Sequence, residues 1–276
     1  MPNALVSKYL RVNRLPQMWC PGCGIGEIVN GIIRAIDKVG LDQDKTAIVS
    51  GIGCSSRATG YMNFDTLHTT HGRALAFATG LKLAKPELNV VVIMGDGDCS
   101  AIGGNHFIHA SRRNIDVTAI VVNNQIYGMT GGQYSPTTPM DFRATTAPYG
   151  DAEPGFDLCA LAQAAGATFV GRAAPARMPD LINTIAKALQ HKGFSFVETV
   201  SQCPVYFGRM NRLGGPVQML MKQKEITVPV RVAQQNPEEA KGKLVTGVLY
   251  EGERPAYETL YQQVRLKASQ KAGEHV

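Results

Sequence analysis

Two sets of residues in this chain have the types and spacing to do chemistry. The first is thiols: Cys20 and Cys23 in "MWCPGCG", Cys54 in "GIGCSS" and Cys203 in "SQCPVYFG". A CxxC alone is compatible with zinc, an exchangeable disulfide or an iron–sulfur cluster. Zinc asks for four N or S ligands, usually as two close pairs, and no second CxxC exists. A redox dithiol asks for a preceding strand, and "RVNRLPQMW" makes a poor one. A cluster also needs about four thiolates but accepts them from separated loops, and Cys203, followed by proline, is a plausible fourth. Cys99 reads as a buried neighbour of a glycine-rich loop, and Cys159, in "FDLCALAQAAG", as core.

The second set is "GDGD" at 95–98 and "NN" at 123–124. If each closes a strand, neighbouring strand ends bring Asp96 and Asn124 together. A carboxylate, an amide oxygen and a backbone carbonyl suit a hard octahedral cation such as Mg²⁺, with phosphate oxygens completing the shell. Gly95 and Gly97 allow close backbone approach to a diphosphate, and a helix starting near 101 would offer it its N-terminus. An EF-hand calcium loop is excluded, because the twelfth position from Asp96 is Phe107 rather than glutamate. Gly-Asp-Gly alone is a common turn; the information lies in the combination.

The elements that must position these residues are legible as alternation. Apolar runs at 46–53, 89–98, 116–124, 167–172 and 194–200 read as buried strands. Stretches 24–39, 71–85, 101–113, 157–165 and 178–191 read as helices. The pattern predicts an α/β fold: a doubly wound, mostly parallel sheet with helices on both faces. Three of the strands run into "GIGCSS", "GDGDCS" and "NNQIYGMTGG", so their carboxyl ends should form one composite site. Residues 125–155, rich in Gly, Pro and Thr, form a long functional or interaction loop. The expected division is an arm at 1–14, an α/β domain with the thiol loop at 15–202, and a C-terminal extension at 203–276. That extension lacks the alternation, ends in a helix near 255–270 and contacts a partner subunit.

Composition narrows the classes. The chain has 276 residues, 44% of them hydrophobic, and a net charge of +6 without basic blocks. Neither a nucleic-acid partner nor a membrane span is expected. The N-terminus carries no apolar signal-peptide core, so a cytoplasmic setting with reduced thiols is expected. His68, His106 and His109 are assigned to structure.

GDG followed by a later Asn resembles the thiamine diphosphate motif. That resemblance implies Mg²⁺ on Asp96, Asn124 and the backbone oxygen of Ile126, with "GMTGGQ" meeting the diphosphate. "WCPGCG", "GIGCSS", "THGRA", "GDGD", "NN" and "CPVYFGR", in this order, resemble the β subunit of 2-oxoacid:ferredoxin oxidoreductases over nearly the whole chain. The resemblance implies a [4Fe–4S] cluster on Cys20, Cys23, Cys54 and Cys203. It implies a thiamine diphosphate site formed by Ile52, Gly53, Cys54, Ser55, His71, Gly95, Asp96, Gly97, Asp98, Asn124, Gly128, Met129 and Thr130. His71 would work near the reactive end of the cofactor, and Arg57 near the substrate carboxylate.

Family members convert a 2-oxoacid and CoA to acyl-CoA and CO₂ and pass electrons to ferredoxin. The 2-oxoglutarate branch is most similar, with pyruvate and branched-chain 2-oxoacids as alternatives. The glutamate that activates thiamine belongs in this family to a second domain; Glu27 and Glu87 lie in poor contexts for it. The expectation is therefore a separate α subunit and an (αβ)2 heterotetramer. Two competing readings are a cluster-free thiamine decarboxylase or synthase, and a non-enzymatic nucleotide- or metal-binding partner subunit.

Overall fold

The structure, a computed structural model, describes residues 4–273, with the side chains of 271–273 left undescribed. The ends of the expected arm and extension, 1–3 and 274–276, lie outside the described residues. A short helix α1 (Ala4–Tyr9) precedes the thiol loop and α2 (Ile25–Val39). Then come β1 (Thr46–Ser50), α3 (Ala58–Tyr61), β2 (Asp65–His68), α4 (Ala74–Ala84) and β3 (Asn89–Gly95). The single turn α5 (Asp96–Ser100), α6 (Gly104–Arg113) and β4 (Thr118–Asn123) follow. A small hairpin, β5 (Ile126–Tyr127) and β6 (Gln133–Tyr134), opens the long loop. After it stand α7 (Leu158–Ala164), β7 (Phe169–Ala173), α8 (Met178–Gln190) and β8 (Ser195–Val200). The chain ends with α9 (Pro216–Ile226), β9 (Thr227–Pro229), α10 (Val230–Gln235), α11 (Pro237–Ala240), β10 (Leu244–Glu251) and α12 (Tyr257–Gly273).

Eight strands form one sheet in the order β2-β1-β3-β4-β8-β7-β10-β9. The first six are parallel, and five of them, all but β2, are legible as near-continuous apolar runs. Side chains of successive residues leave the sheet on opposite faces, and the core divides accordingly. Ile48, Ile93, Ile120 and Val197 pack with α2 and α8 on one face; Val49, Val92, Val121 and Phe196 pack with α4, α6 and α7 on the other. Helix α2 shows why it docks: Ile25, Ile28, Val29, Ile32, Ile33 and Ile36 recur at helical spacing and are buried. It stops at Gly40, whose φ of +68° is the left-handed cap that glycine supplies. Each such buried aliphatic side chain contributes about 1.5–3 kcal/mol of burial free energy.

Where structure and expectation differ, the reasons are local. The runs at 46–53 and 89–98 stop being strand at Ser50 and Gly95, and the leftover residues form site loops. The helix expected at 71 begins at Ala74, after a turn with Gly72 at φ +70°. The helix expected at 101 begins at Gly104, because the backbone breaks at Ala101 after the single turn α5. Strand β2 escaped the reading because "DTLH" is polar and largely exposed at the sheet edge. Within 203–276, β10 pairs antiparallel with β7 and carries β9 beyond it, so this stretch extends the sheet. Strand β10 is half-exposed and bulged between Val248 and Tyr250, which hides its periodicity. From Leu260 to Gln270, α12 is exposed on every side.

The chain order reverses direction at β1: β2 lies to one side, β3 and β4 to the other. Open α/β sheets bind ligands outside the strand carboxyl ends at such a switch point. The loops after β1, β3 and β4 all leave from that edge.

Candidate functional site

A cavity of about 300 Å³ opens between these loops. The β1 loop contributes Ile52, Gly53, Cys54 and Ser55; the β3 loop, Gly95, Asp96, Gly97 and Asp98. His71 enters from the turn before α4, and the segment after β4 supplies Asn124, Ile126, Gly128, Met129 and Thr130. All the residues expected at a diphosphate cofactor are thus in one wall. Tyr127 also lines the cavity and had not been anticipated. Arg57 is the exception: it is exposed, and the cavity lining does not include it. It closes the helical turn Ser55–Arg57 that follows Cys54.

Asp96 is buried, at 2% exposure, and its two carboxylate oxygens have different surroundings. Oδ2 accepts hydrogen bonds from Ser135 Oγ at 2.5 Å and Thr137 Oγ1 at 2.6 Å. Oδ1 faces the amide end of Asn124 at 3.3 Å, and that same amide end lies 2.8 Å from the backbone oxygen of Ile126. With the amide oxygen turned toward them, three acceptors converge; with the NH₂ turned toward them, it donates to both. Either the amide turns its NH₂ inward or a cation lies between them. Oxygen ligands on an octahedral Mg²⁺ stand about 3 Å apart at bond lengths of about 2.1 Å, which these separations fit. Burial pushes the Asp96 carboxyl above its ordinary range, while the bonds from Ser135 and Thr137 oppose the rise.

Asp98 anchors the neighbouring loops. Its Oδ1 accepts from Gly72 N–H at 2.6 Å and Ile52 N–H at 3.4 Å, and stands 2.8 Å from His71 Nδ1. Burial raises this carboxyl too, against those donors and the imidazole. With Nδ1 turned to Asp98, Nε2 is the ring nitrogen left to His71 for other contacts. Gly97 is required for a reason other than diphosphate approach: a Cβ there would meet the Tyr127 ring at 2.3 Å. The Tyr127 hydroxyl donates to Gly97 O at 3.3 Å, and burial beside Asp96 and Asp98 pushes its pKa up to about 12. It therefore remains a neutral phenol.

Cys54 Sγ and Cys203 Sγ stand beside this cavity, 3.5 and 3.7 Å from where a Cβ on Gly128 would lie, and the CxxC loop is tied to both of their loops. Trp19 Nε1 donates to Cys54 O at 2.7 Å, tying the CxxC loop to the β1 loop. Gln202 Nε2 donates to Gly22 O at 3.1 Å, tying it to the Cys203 loop. Burial pushes the Cys23 thiol up to about 12, with Cys203, Cys54 and Cys20 adding to the rise. Burial likewise pushes Cys54 to about 11, with contributions from Cys203 and Cys20. All six cysteines are free, so coordination here would release protons. No three of these sulfurs lie within 4.8 Å of one another.

Elsewhere, Asp157, Cys159 and Glu198 do gather within 4.8 Å. The Arg172 guanidinium already fills that space, with Nε on Glu198 Oε2 at 2.5 Å and a terminal nitrogen on Asp157 Oδ1 at 2.6 Å. Cys99 and Cys159 are buried as expected. His68 is structural, its Nδ1 lying 3.0 Å from Ser50 Oγ. The residues that sequence reasoning missed are Tyr127, Ser135 and Thr137. The hydroxyl run "YSPTTP" in the long loop was the available signal for the last two.

Comparison with known proteins adds the following. Residues 51–199 match the thiamine pyrophosphate enzyme, C-terminal TPP-binding domain family. The chain is 55% identical over 249 residues to 2-oxoglutarate synthase subunit KorB of Methanothermobacter marburgensis, covering 90% of this chain and 87% of that protein. It is 52% identical over 251 residues to the subunit of the same name from Methanocaldococcus jannaschii, covering 91% and 93%. Among solved structures it is similar to the 2-oxoglutarate:ferredoxin oxidoreductase from Magnetococcus marinus, solved with 2-oxoglutarate, coenzyme A and succinyl-CoA bound. That match has a TM-score of 0.86 and 35% identity, over 98% of this chain and 92% of the other.

Proposed function

The chain belongs to the β-subunit family of thiamine pyrophosphate-dependent 2-oxoacid:ferredoxin oxidoreductases, and from that premise we propose that it serves a 2-oxoglutarate-specific enzyme. The reaction is 2-oxoglutarate plus CoA to succinyl-CoA and CO₂, with the electrons leaving through one [4Fe–4S] cluster to ferredoxin. Reductive carboxylation is the same reaction reversed. The observation that carries this reading is a shared wall. Cys54 and Gly128 line the cavity, and a Cβ on Gly128 would stand 3.5 Å from Cys54 Sγ and 3.7 Å from Cys203 Sγ. A thiamine cofactor and a thiolate-held cluster would therefore be neighbours.

In this reading, Asp96, Asn124 and the Ile126 carbonyl hold Mg²⁺. The loops at 52–55, 95–98 and 128–130 hold the diphosphate, and Cys20, Cys23, Cys54 and Cys203 hold the cluster. When bound, thiamine diphosphate supplies the electron sink for decarboxylation. The protein's own groups do the rest. Asp98 orients His71 so that Nε2 can move a proton or hold the substrate carboxylate. Exposed apolar side chains, Ile52, Ile102 and Met129, lie around the cavity or packed on the His71–Gly72 turn. They suit cover by an α subunit, which would bring the missing glutamate in an (αβ)2 assembly in the cytoplasm.

The test is the co-expressed αβ pair, purified anaerobically. About four irons and four sulfides per αβ unit are expected, with methyl viologen reduced in the presence of CoA and 2-oxoglutarate. Turnover on pyruvate or branched-chain acids instead would overturn the substrate, and an iron-free protein would overturn the redox reading.

A further inference from the structure

The hydroxyls of Ser135 and Thr137 belong to a longer chain of buried groups. Thr137 Oγ1 lies 2.6 Å from Asp96 Oδ2 and 2.9 Å from Asn123 Oδ1. Asn123 Nδ2 donates to Glu198 Oε1 at 2.6 Å, and Glu198 Oε2 accepts from Arg172 Nε at 2.5 Å. Arg172 then reaches Asp157 Oδ1 at 2.6 Å, where Asp157 caps α7. Ser135, Thr137, Asn123, Glu198 and Arg172 are all at most 9% exposed. The loop bearing the hydroxyls is itself pinned: Thr138 Oγ1 donates to Gln125 O at 2.7 Å, and Ser135 N–H donates to Thr138 Oγ1 at 2.8 Å.

The direction of this chain is fixed from its far end. Arg172 can only donate, so Glu198 is held as an acceptor. Asn123 must turn its NH₂ to Glu198, which points its oxygen at Thr137. Thr137 has one proton for two acceptors, Asp96 Oδ2 and Asn123 Oδ1, so Ser135 Oγ, at 2.5 Å, is the donor that Asp96 Oδ2 keeps whichever way the Thr137 hydroxyl turns. The carboxylate is thereby held by one oxygen, with Oδ1 directed at Asn124 and Ile126.

We propose that Thr137 and Ser135 are positioning residues for the metal carboxylate, aligned by the Asn123–Glu198–Arg172 chain, so that divalent-cation affinity depends on two hydroxyls from the loop after β6. This rests on the reading of Asp96, Asn124 and Ile126 as Mg²⁺ ligands. Groups that orient metal ligands typically matter 10- to 100-fold in affinity.

The test uses the cluster-loaded αβ complex and titrates Mg²⁺ by calorimetry at saturating thiamine diphosphate. T137V should weaken Mg²⁺ about 10- to 100-fold, S135A should act in the same direction, and T137S should return to within about threefold of wild type. Cluster absorbance should stay at the wild-type value, while the metal-free unfolding midpoint falls modestly for the lost buried hydrogen bond. Unchanged Mg²⁺ affinity in T137V overturns the proposal, as does a lowered midpoint with unchanged affinity, the mark of a merely structural hydroxyl. If T137V fails to fold, S135A decides by the same criterion. Wild-type binding that needs no divalent cation removes the metal reading, and this proposal with it.

Discussion

The two edges of the sheet use buried charge in opposite ways. At the edge where β3, β4 and β8 begin, every charge has its partner within the chain. Lys82, at 4% exposure, donates to Leu88 O at 2.8 Å and pairs with Asp116 Oδ2 at 2.9 Å. Asp116 Oδ1 also accepts from Gly193 N–H at 3.0 Å. Asn114, fully buried at φ +55°, accepts from Phe194 N–H and Thr168 Oγ1, each at 2.7 Å. At the edge where the same strands end, one buried carboxylate oxygen has no donor among the described residues. Asp96 Oδ1, the Asn124 amide and the Ile126 carbonyl converge, and Asp98 Oδ2 is buried without a partner among the described residues. Buried polar groups left unpaired cost about 1–3 kcal/mol each, more when charged. At one end the buried charges pair within the chain; at the other, a buried carboxylate oxygen, Asp98 Oδ2, has no donor among the described residues.

The largest break in that contrast comes from Asp96→Asn. Two hydroxyls hold the oxygen end of the new amide, so its NH₂ would point at the cation site. Mg²⁺-dependent thiamine diphosphate binding should fall more than about 100-fold and turnover by about 1000-fold, since a ligand and its charge are lost together. The metal-free αβ complex should be at least as resistant to heat as wild type, because a buried uncompensated carboxylate is gone. Calorimetry and thermal unfolding on the same preparation check both halves; a clear loss of heat resistance would contradict the contrast.

Lys82→Met tests the self-sufficient edge. The methionine keeps the stem's volume but leaves Asp116 with Lys192, at 3.7 Å and exposed, as its one cation. Breaking a buried pair from one side costs about 3–5 kcal/mol, and the lower end is expected here because Asp116 keeps Gly193 N–H and some water. Denaturant unfolding should move by that amount while Mg²⁺ and thiamine diphosphate affinities stay put.

Legibility in the sequence follows the same division. The parallel strands could be read because a strand buried on both faces must be a continuous apolar run, as "TAIVVN" of β4 is. The composite site could be read because glycines and a carboxylate directly after such runs are costly unless something binds. Strand β2, with one polar exposed stretch, and β10, bulged at the edge, carry no such pattern. Ser135 and Thr137 escaped for another reason. Their role depends on a long loop folding back over β3, and no local periodicity encodes where a loop returns. Lys82 was hidden because a lysine on a helix reads as solvated until a tertiary partner appears.

Acid sharpens the comparison further. Burial pushes Asp116 up, but the Lys82 hydrogen bond, Gly193 N–H and the charges of Lys82 and Lys192 outweigh it, leaving the group below its ordinary value of 3.8. A carboxyl depressed on folding stabilises the protein above its unfolded pKa, and that stability is lost as pH falls through the folded value. At the other edge, Asp98 is raised by burial, so its charged form costs stability as pH rises past the ordinary carboxylate range. Asp116→Asn should therefore flatten the acid limb of the unfolding profile below about pH 4, whereas Asp98→Asn should flatten the decline above it. Midpoints measured across pH 3–7 for both variants check the opposite signs.

The smallest effect is expected at Arg57, which the family resemblance placed near substrate and the chain leaves exposed outside the cavity. A surface arginine makes no desolvated pair, and its removal alters stability by no more than about 0.5 kcal/mol. In the isolated chain Arg57→Ala should leave thiamine diphosphate binding untouched, because no loop of the cavity leans on it. In the αβ complex the outcome separates two geometries. If the partner closes over the β1 loop and brings substrate to this guanidinium, KM for 2-oxoglutarate rises while kcat on saturating substrate holds, the signature of lost uniform binding. If KM is also unchanged, Arg57 belongs to the outer surface, and the substrate carboxylate must find its cation on the partner or at His71.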